Sequence, residues 1–241
     1  MSALYHGLLY SKYDLVIFSD GDTYARNDTL AKIMTQFENG AKIVTCLATY
    51  NQTRNLWSRI YASTWNFVEI GIIGYSILQE GKHIVGNTFA ISKQTLNHIG
   101  GLKKFRDFIA EDIAIGRSAY EAKYPVFLGP MIDSPVGTMY FSTLIEKFSR
   151  AALYAITMRG LRANWRFIFL YSYFLIIISP AIFFGPTLFV LIAVLALGRL
   201  TLASYIWFII TGEKRVSVEC FLGDFLFFII YIRSFIFRTV Y

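Results

Sequence analysis

The stretch Leu15-Val16-Ile17-Phe18-Ser19-Asp20-Gly21-Asp22 reads as a short buried strand that ends in a tight acidic turn: four apolar, mostly β-favouring residues followed by residues that favour turns. Downstream, Asn27 or Asp28 can cap a helix whose apolar positions Leu30, Ile33, Met34 and Phe37 fall at helical spacing, and Gly40 stops it. Ala41 to Thr49 is a second strand. Strand, helix, strand is the repeating unit of an α/β fold, so the expectation is a mostly parallel sheet covered by helices. Further along, Ile84 to Ile91 alternates loosely around Gly86, Gly100-Gly101 closes the helix after it, and Glu111-Asp112 brings a second acidic pair to a helix start. Between these, Trp57, Tyr61 and Trp65 form a stripe at i, i+4 and i+8 of a helix over 54–70, which fits either core packing or a helix lying in a membrane interface.

Composition separates the chain into two kinds of sequence. Of 241 residues 55% are hydrophobic and only 16% charged, against about 25% charged in soluble domains, which excludes disorder, coiled coil and collagen. The apolar excess lies after Phe167. Phe167 to Gly198 contains no charged residue, and since about 20 residues cross a bilayer, two helices folded at Gly185-Pro186 fit better than one: Phe167 to Phe184 and Thr187 to Ile210. Arg199 inside the second is expected to face other helices or snorkel to a headgroup. Phe221 to Phe237 is a weaker third span, interrupted by Asp224 and Arg233. The resulting division is a catalytic domain at 1–146, a basic interfacial segment at 147–166 and a membrane domain at 167–241. The net charge of +7 is concentrated in basic residues such as Arg150, Arg159, Arg162 and Arg166 beside the apolar segments. The positive-inside rule therefore places the catalytic side in the cytoplasm, and no nucleic-acid partner is called for. Met1 to Tyr10 lacks the features of a signal peptide, and Cys46 and Cys220 read as buried thiols rather than a disulfide or metal pair.

Two acidic sites carry the chemistry. Asp20 and Asp22 sit on a turn at a strand's C-terminal end, where α/β sheets bind ligands, and two carboxylates at i and i+2 can share one hard divalent cation whose remaining positions diphosphate oxygens fill. A solvated Asp/Gly turn gives the same string. An aspartyl-nucleophile phosphatase motif is a third reading, but it misses by one residue, because Thr23 follows Asp22 directly. At Glu111-Asp112 a carboxylate can take the proton from an attacking hydroxyl, although acids in a helix's first turn are also favoured by the helix dipole alone.

The strings Tyr13 to Asp22, Gly86-Asn87-Thr88-Phe89-Ala90-Ile91-Ser92-Lys93 with Ile99-Gly100-Gly101, and Ile109 to Gly116 occur in the order and spacing of family 2 glycosyltransferases. In particular the chain resembles the ceramide glucosyltransferase group and its bacterial hopanoid-pathway relatives, down to the closing Leu222-Gly223-Asp224-Phe225 and Ser234 to Tyr241. The resemblance implies a GT-A-like catalytic fold followed by transmembrane helices, with transfer of a hexose from a UDP-sugar to a lipid hydroxyl. It further implies Mg²⁺ or Mn²⁺ with the donor at Asp20 and Asp22, a donor pocket including Gly86, Arg150 and Tyr154, and Asp112, with Glu111 beside it, as base. The family's (Q/R)xxRW signature falls at Arg150-Ala151-Ala152-Leu153-Tyr154, where Leu153 replaces the Arg and Tyr154 the Trp. Tyr154 can still stack on a sugar or acceptor, Leu153 cannot hold a diphosphate, and Arg159 or Arg162 are nearby cations that could substitute.

Relatives in that group carry a membrane helix and strands before the strand at Leu15, so the chain reads as an N-terminally truncated member or one part of a split gene, with a separate chain as a possible source of the missing strands. Two expectations follow: a membrane-bound inverting glycosyltransferase, and, as the alternative, a catalytically inactive remnant or partner subunit.

Overall fold

The computed structural model describes residues 2–78, 84–108, 110–158 and 186–237. The chain divides into two compact units, Met1–Tyr50 with Val68–Pro135, and Asn51–Phe67 with Val136–Tyr241. Its elements are α1 (Ser2–Tyr10), β1 (Leu15–Ser19), α2 (Thr29–Glu38), β2 (Ile43–Thr53), α3 (Leu56–Leu78), β3 (Thr88–Ser92), α4 (Lys93–His98), a 3₁₀ turn (Leu102–Phe105), α5 (Glu111–Glu121), β4 (Val126–Gly137), α6 (Phe141–Met158), α7 (Pro186–Thr211) and α8 (Glu219–Phe237).

In the first unit the strands form a four-stranded sheet in the order β1-β3-β2-β4. It is mixed α/β, as expected, but the mostly parallel sheet is corrected: β3 pairs antiparallel with both β1 and β2, Phe18 opposite Phe89 and Val44 opposite Ala90. Because both neighbours oppose β3, β1 and β2 run in the same direction. The strand–helix–strand reading thus gives their relative sense correctly and misses the strand inserted between them. Alternation along the strands divides the core in two. Val16, Phe18, Ile43 and Ile91 join Leu96, Phe105 and Ile115 of the α4–α5 region, while Val44, Cys46, Ala90 and Ile132 join Ile33 of α2. Helices therefore cover both sheet faces. Each fully buried Ile, such as Ile43 or Ile91 at 0% exposure, contributes roughly 1.5–3 kcal/mol.

Only part of α2's apolar stripe is core: Ile33 is buried, whereas Leu30 and Met34 are exposed. Asp28 is the residue before α2, yet its side chain makes no capping bond and pairs instead with Lys32 at 2.6 Å. Gly40 ends the turn at φ +94°, and Gly100 and Gly101 close α4 at +112° and +71°, left-handed values that only Gly adopts freely. β4 escapes sequence reading because Gly129, Pro130 and Pro135 break its pattern. It lies at the sheet edge, where Pro is tolerated, and a Cβ at Gly129 would stand 2.7 Å from Val44 Cγ1.

The second unit is helical. Here the aromatic stripe packs as core: Tyr61 stacks on Phe148 at 6.4 Å and Trp57 lies 4.8 Å from Phe141, while Phe148 meets Phe227 of α8 edge-on at 5.2 Å. Gly223 of α8 packs against α3, and any Cβ there would collide with Thr64 Oγ1. Arg199 of α7 forms a bidentate pair with Asp224 of α8, at 2.9 and 3.0 Å, and its guanidinium lies 4.0 Å over the Phe67 ring. It thus faces other helices, as the cost of a lone charge requires. Of the expected transmembrane helices, the described residues hold one segment, Ala193–Thr211 within α7, that is long and apolar enough to cross a membrane. The proposed span Phe167 to Phe184 and the cations Arg159 and Arg162 lie outside the described residues.

Candidate active site

The acidic turn after β1 is built by short hydrogen bonds. Ser19 Oγ lies 2.8 Å from both Thr23 Oγ1 and Thr88 Oγ1, Thr23 Oγ1 donates to the Asp20 carbonyl at 2.8 Å, and the Asp20 N–H donates to the Asn87 carbonyl at 2.8 Å. Beyond the turn, Arg26 donates twice to Asp133 of β4, at 2.8 and 3.2 Å, and Tyr24 bridges the same residue. These contacts hold Asp20 and Asp22, both exposed, at the mouth of β1. β1 is an edge strand of the described sheet rather than a central one.

Asn87 and its neighbour Gly86 link this turn to the second acidic pair. A Cβ on Gly86 would stand 2.6 Å from Asp112 Oδ2 and 3.1 Å from its Cγ, so the Asp112 carboxylate occupies the space that only Gly leaves open at 86. Glu111 and Asp112 form the first turn of α5 after Ala110. Burial raises the Asp112 carboxyl to about 6, and the negative charges of Glu111 and Asp20 push it the same way; a group poised there can exchange a proton near neutral pH. Asp20, Gly86 and Asp112 therefore converge within one unit. Arg150 is exposed on α6 of the second unit, and the side chain of Tyr154 lies outside the described residues.

A further acid belongs to this neighbourhood. Glu69 of α3 is 6% exposed, its Oε2 has no hydrogen-bond partner, and burial raises its carboxyl to about 8, with the charge of Asp112 pushing in the same sense and the Ala48 backbone opposing. It is the only acidic residue among the apolar and aromatic residues of Leu56–Leu78, the one sequence signal that pointed to it. Since the folded state holds this proton more tightly than the unfolded chain, whose Glu titrates near 4.5, its contribution to stability is complete below that value and is lost as pH rises through about 8. The unfolding temperature of wild type is expected to fall from pH 5 to pH 8 more than that of Glu69→Gln. Equal slopes would contradict it.

Two carboxylates on one turn could hold a divalent cation only jointly with a ligand. Asp20 and Asp22 supply hard oxygen donors two residues apart, and among the described residues no third His, Cys, Asp or Glu gathers with them into a metal-binding group. An ion there would have to draw its other ligands from a bound diphosphate.

Among solved structures, the chain is similar to a mannosyltransferase from Pyrobaculum calidifontis in complex with GDP-Man and Mn²⁺, at 13% identity and a TM-score of 0.52, over 99% of this chain and 67% of that one. At that identity the likeness concerns the fold. No curated protein matches the chain. The sequence model described as glycosyl transferase family 21 matches residues 1–241, which replaces the family 2 assignment by name. With that match over the whole chain, the chain belongs to glycosyl transferase family 21.

Proposed function

We propose that the protein transfers a hexose from a UDP-sugar to the hydroxyl of a membrane lipid of ceramide type, inverting the anomeric configuration. The observation that carries this reading is the Asp112 carboxylate seated against Gly86 near Asp20. Asp112 accepts the proton of the lipid hydroxyl as that oxygen attacks the anomeric carbon, and Asp20 and Asp22 hold the diphosphate side of the donor through a divalent cation. When bound, Mg²⁺ or Mn²⁺ neutralises the charge that grows on the departing diphosphate. Glu111, in the same helical turn, keeps negative charge beside Asp112. Exposed apolar side chains on α7, among them Val194, Leu197 and Ile209 at 59%, 62% and 52%, support an integral membrane protein, and Lys214 and Arg215 beyond them support a cytoplasmic catalytic side. The domain limits 1–146, 147–166 and 167–241 remain part of this reading.

Leu153, where the related signature has Arg, favours the second reading of an inactive partner subunit, because no cation stands at that position to meet the diphosphate. UDP release measured with ceramide and Mn²⁺, for wild type beside Asp112→Asn, separates the two: turnover that the substitution removes supports the enzyme, and no turnover in either supports the partner.

The Gly86 contact gives its own test. Gly86→Ala is expected to fold, since no positive φ is required there, yet to push the Asp112 carboxylate aside and reduce kcat by about tenfold or more, because small misplacements of a reacting group cost heavily. Unchanged kcat with unchanged unfolding temperature would show that the close approach is not functional.

A further inference from the structure

The segment after α7 folds back along that helix: the Ser217 N–H donates to Ser204 Oγ at 3.0 Å, thirteen residues earlier. A cavity of about 570 Å³ opens between this returning segment and α7. Lys214 and Arg215 line it from the returning segment, Thr201 and Tyr205 from the helix, and Leu200, Phe208 and Val216 add apolar lining. No carboxylate is among the lining residues. The nearby acids are turned to other work: Glu213 accepts from Trp207 Nε1 at 3.2 Å, and Glu219 takes Arg215 Nη1 at 3.3 Å and Arg59 Nε at 3.1 Å.

The guanidinium of Arg215 is fixed, with its carbon 4.0 Å over the Trp207 ring. Its Nη1 pairs with Glu219, and the side chain keeps 26% exposure. A planar guanidinium favours the oxygens of a phosphate or carboxylate, and exposed Lys214 beside it adds a second cation to the lining of the cavity.

We infer that this cavity binds the phosphate of an acidic phospholipid, with the headgroup on Lys214 and Arg215 and the start of the acyl chains along Leu200, Phe208 and Val216. Charge decides the class. A zwitterionic lipid would bring its ammonium group beside Lys214, and no acidic side chain lines the cavity to receive it. Apolar walls and the exposed faces of Tyr205 and Phe208, 60% and 41%, suit a lipid better than a free anion, which gains nothing from them. The inference rests on the membrane reading proposed above and adds to it a lipid site distinct from Asp20 and Asp112.

The test uses the full chain in a non-ionic detergent, titrated with short-chain phosphatidylglycerol, short-chain phosphatidylcholine and inorganic phosphate, with intrinsic Trp fluorescence reporting through Trp207. At roughly 1 kcal/mol per basic residue at a lipid surface, phosphatidylglycerol is expected to bind about tenfold or more tightly than phosphatidylcholine, and Lys214→Gln to weaken it about fivefold. Arg215→Gln should remove the preference. Should that variant unfold, Lys214→Gln, at an exposed position, carries the test alone. Equal binding of the two lipids, or a preference undiminished in Lys214→Gln, overturns the site. Inorganic phosphate competing as well as the lipid overturns the lipid assignment. Flotation with vesicles of phosphatidylcholine and about one third phosphatidylglycerol is read separately. A chain that fails to float while keeping its lipid preference in detergent refutes the membrane reading and leaves the cavity's selectivity standing.

Discussion

Replacing Asp112 by Asn is expected to lower kcat/KM for glycosyl transfer by roughly 100- to 10,000-fold, the range that a positioned general base contributes, while leaving the fold intact. The isosteric amide still fits beside Gly86, where the carboxylate oxygen stands 2.6 Å from the position a Cβ would take, and it removes the burial penalty that raises the Asp112 carboxyl to about 6. The substitution therefore separates chemistry from packing: the unfolding temperature should hold or rise as activity falls. The pH dependence follows from the same carboxyl. Only its ionised form accepts a proton, so kcat/KM should fall as pH drops below about 6 and level off above it, and the residual activity of Asp112→Asn should lack that acid limb. Product release assayed from pH 5 to 8 with wild type and variant decides it. Activity retained within a factor of about three, or an acid limb that persists in the variant, would remove Asp112 from the role of base.

How far the sequence discloses this protein depends on whether a residue's task is local. The acidic turn is legible because strand end, Gly21 and two Asp are consecutive, and the turn is closed by neighbours such as Ser19 and Thr23. The helix start at Glu111-Asp112 is legible for the same reason. The convergence of the two sites is not, since it depends on β3 entering between β1 and β2 and bringing Asn87 to the Asp20 amide. Periodicity reports which faces of a strand are buried, but β3 is buried on both, so its neighbours leave no trace in the pattern. Glu69 was missed because a carboxyl on an aromatic helix shows its environment only once Ala48 and Asp112 are placed beside it. In the second unit the distance in sequence between Arg199 and Asp224 hides the partner, and the cost of a lone charge left two outcomes open in the sequence, a place facing other helices or an escape to a headgroup.

That pair sets the largest expected change in stability. The side chains of Arg199 and Asp224 are 10% and 2% exposed, and the two hydrogen bonds of 2.9 and 3.0 Å join α7 to α8 in fork geometry. Removing one partner leaves the other charge desolvated, so Asp224→Leu is expected to destabilise the folded chain by about 3–5 kcal/mol. The Phe67 ring 4.0 Å beneath the guanidinium offsets only a fraction of this, since a cation–π contact contributes about 0.5–2 kcal/mol. The double substitution Arg199→Met with Asp224→Leu removes both charges and keeps apolar volume between the helices. It should recover most of the loss, because a buried ion pair repays its desolvation only narrowly. Unfolding monitored by Trp fluorescence in detergent, across the four proteins of the double-mutant cycle, measures the coupling directly. A single substitution costing under about 1 kcal/mol would mean that solvent or headgroups reach the pair, since that is the value of an exposed ion pair. A double variant as unstable as the single ones would mean instead that the fork itself, through its geometry, aligns α7 with α8.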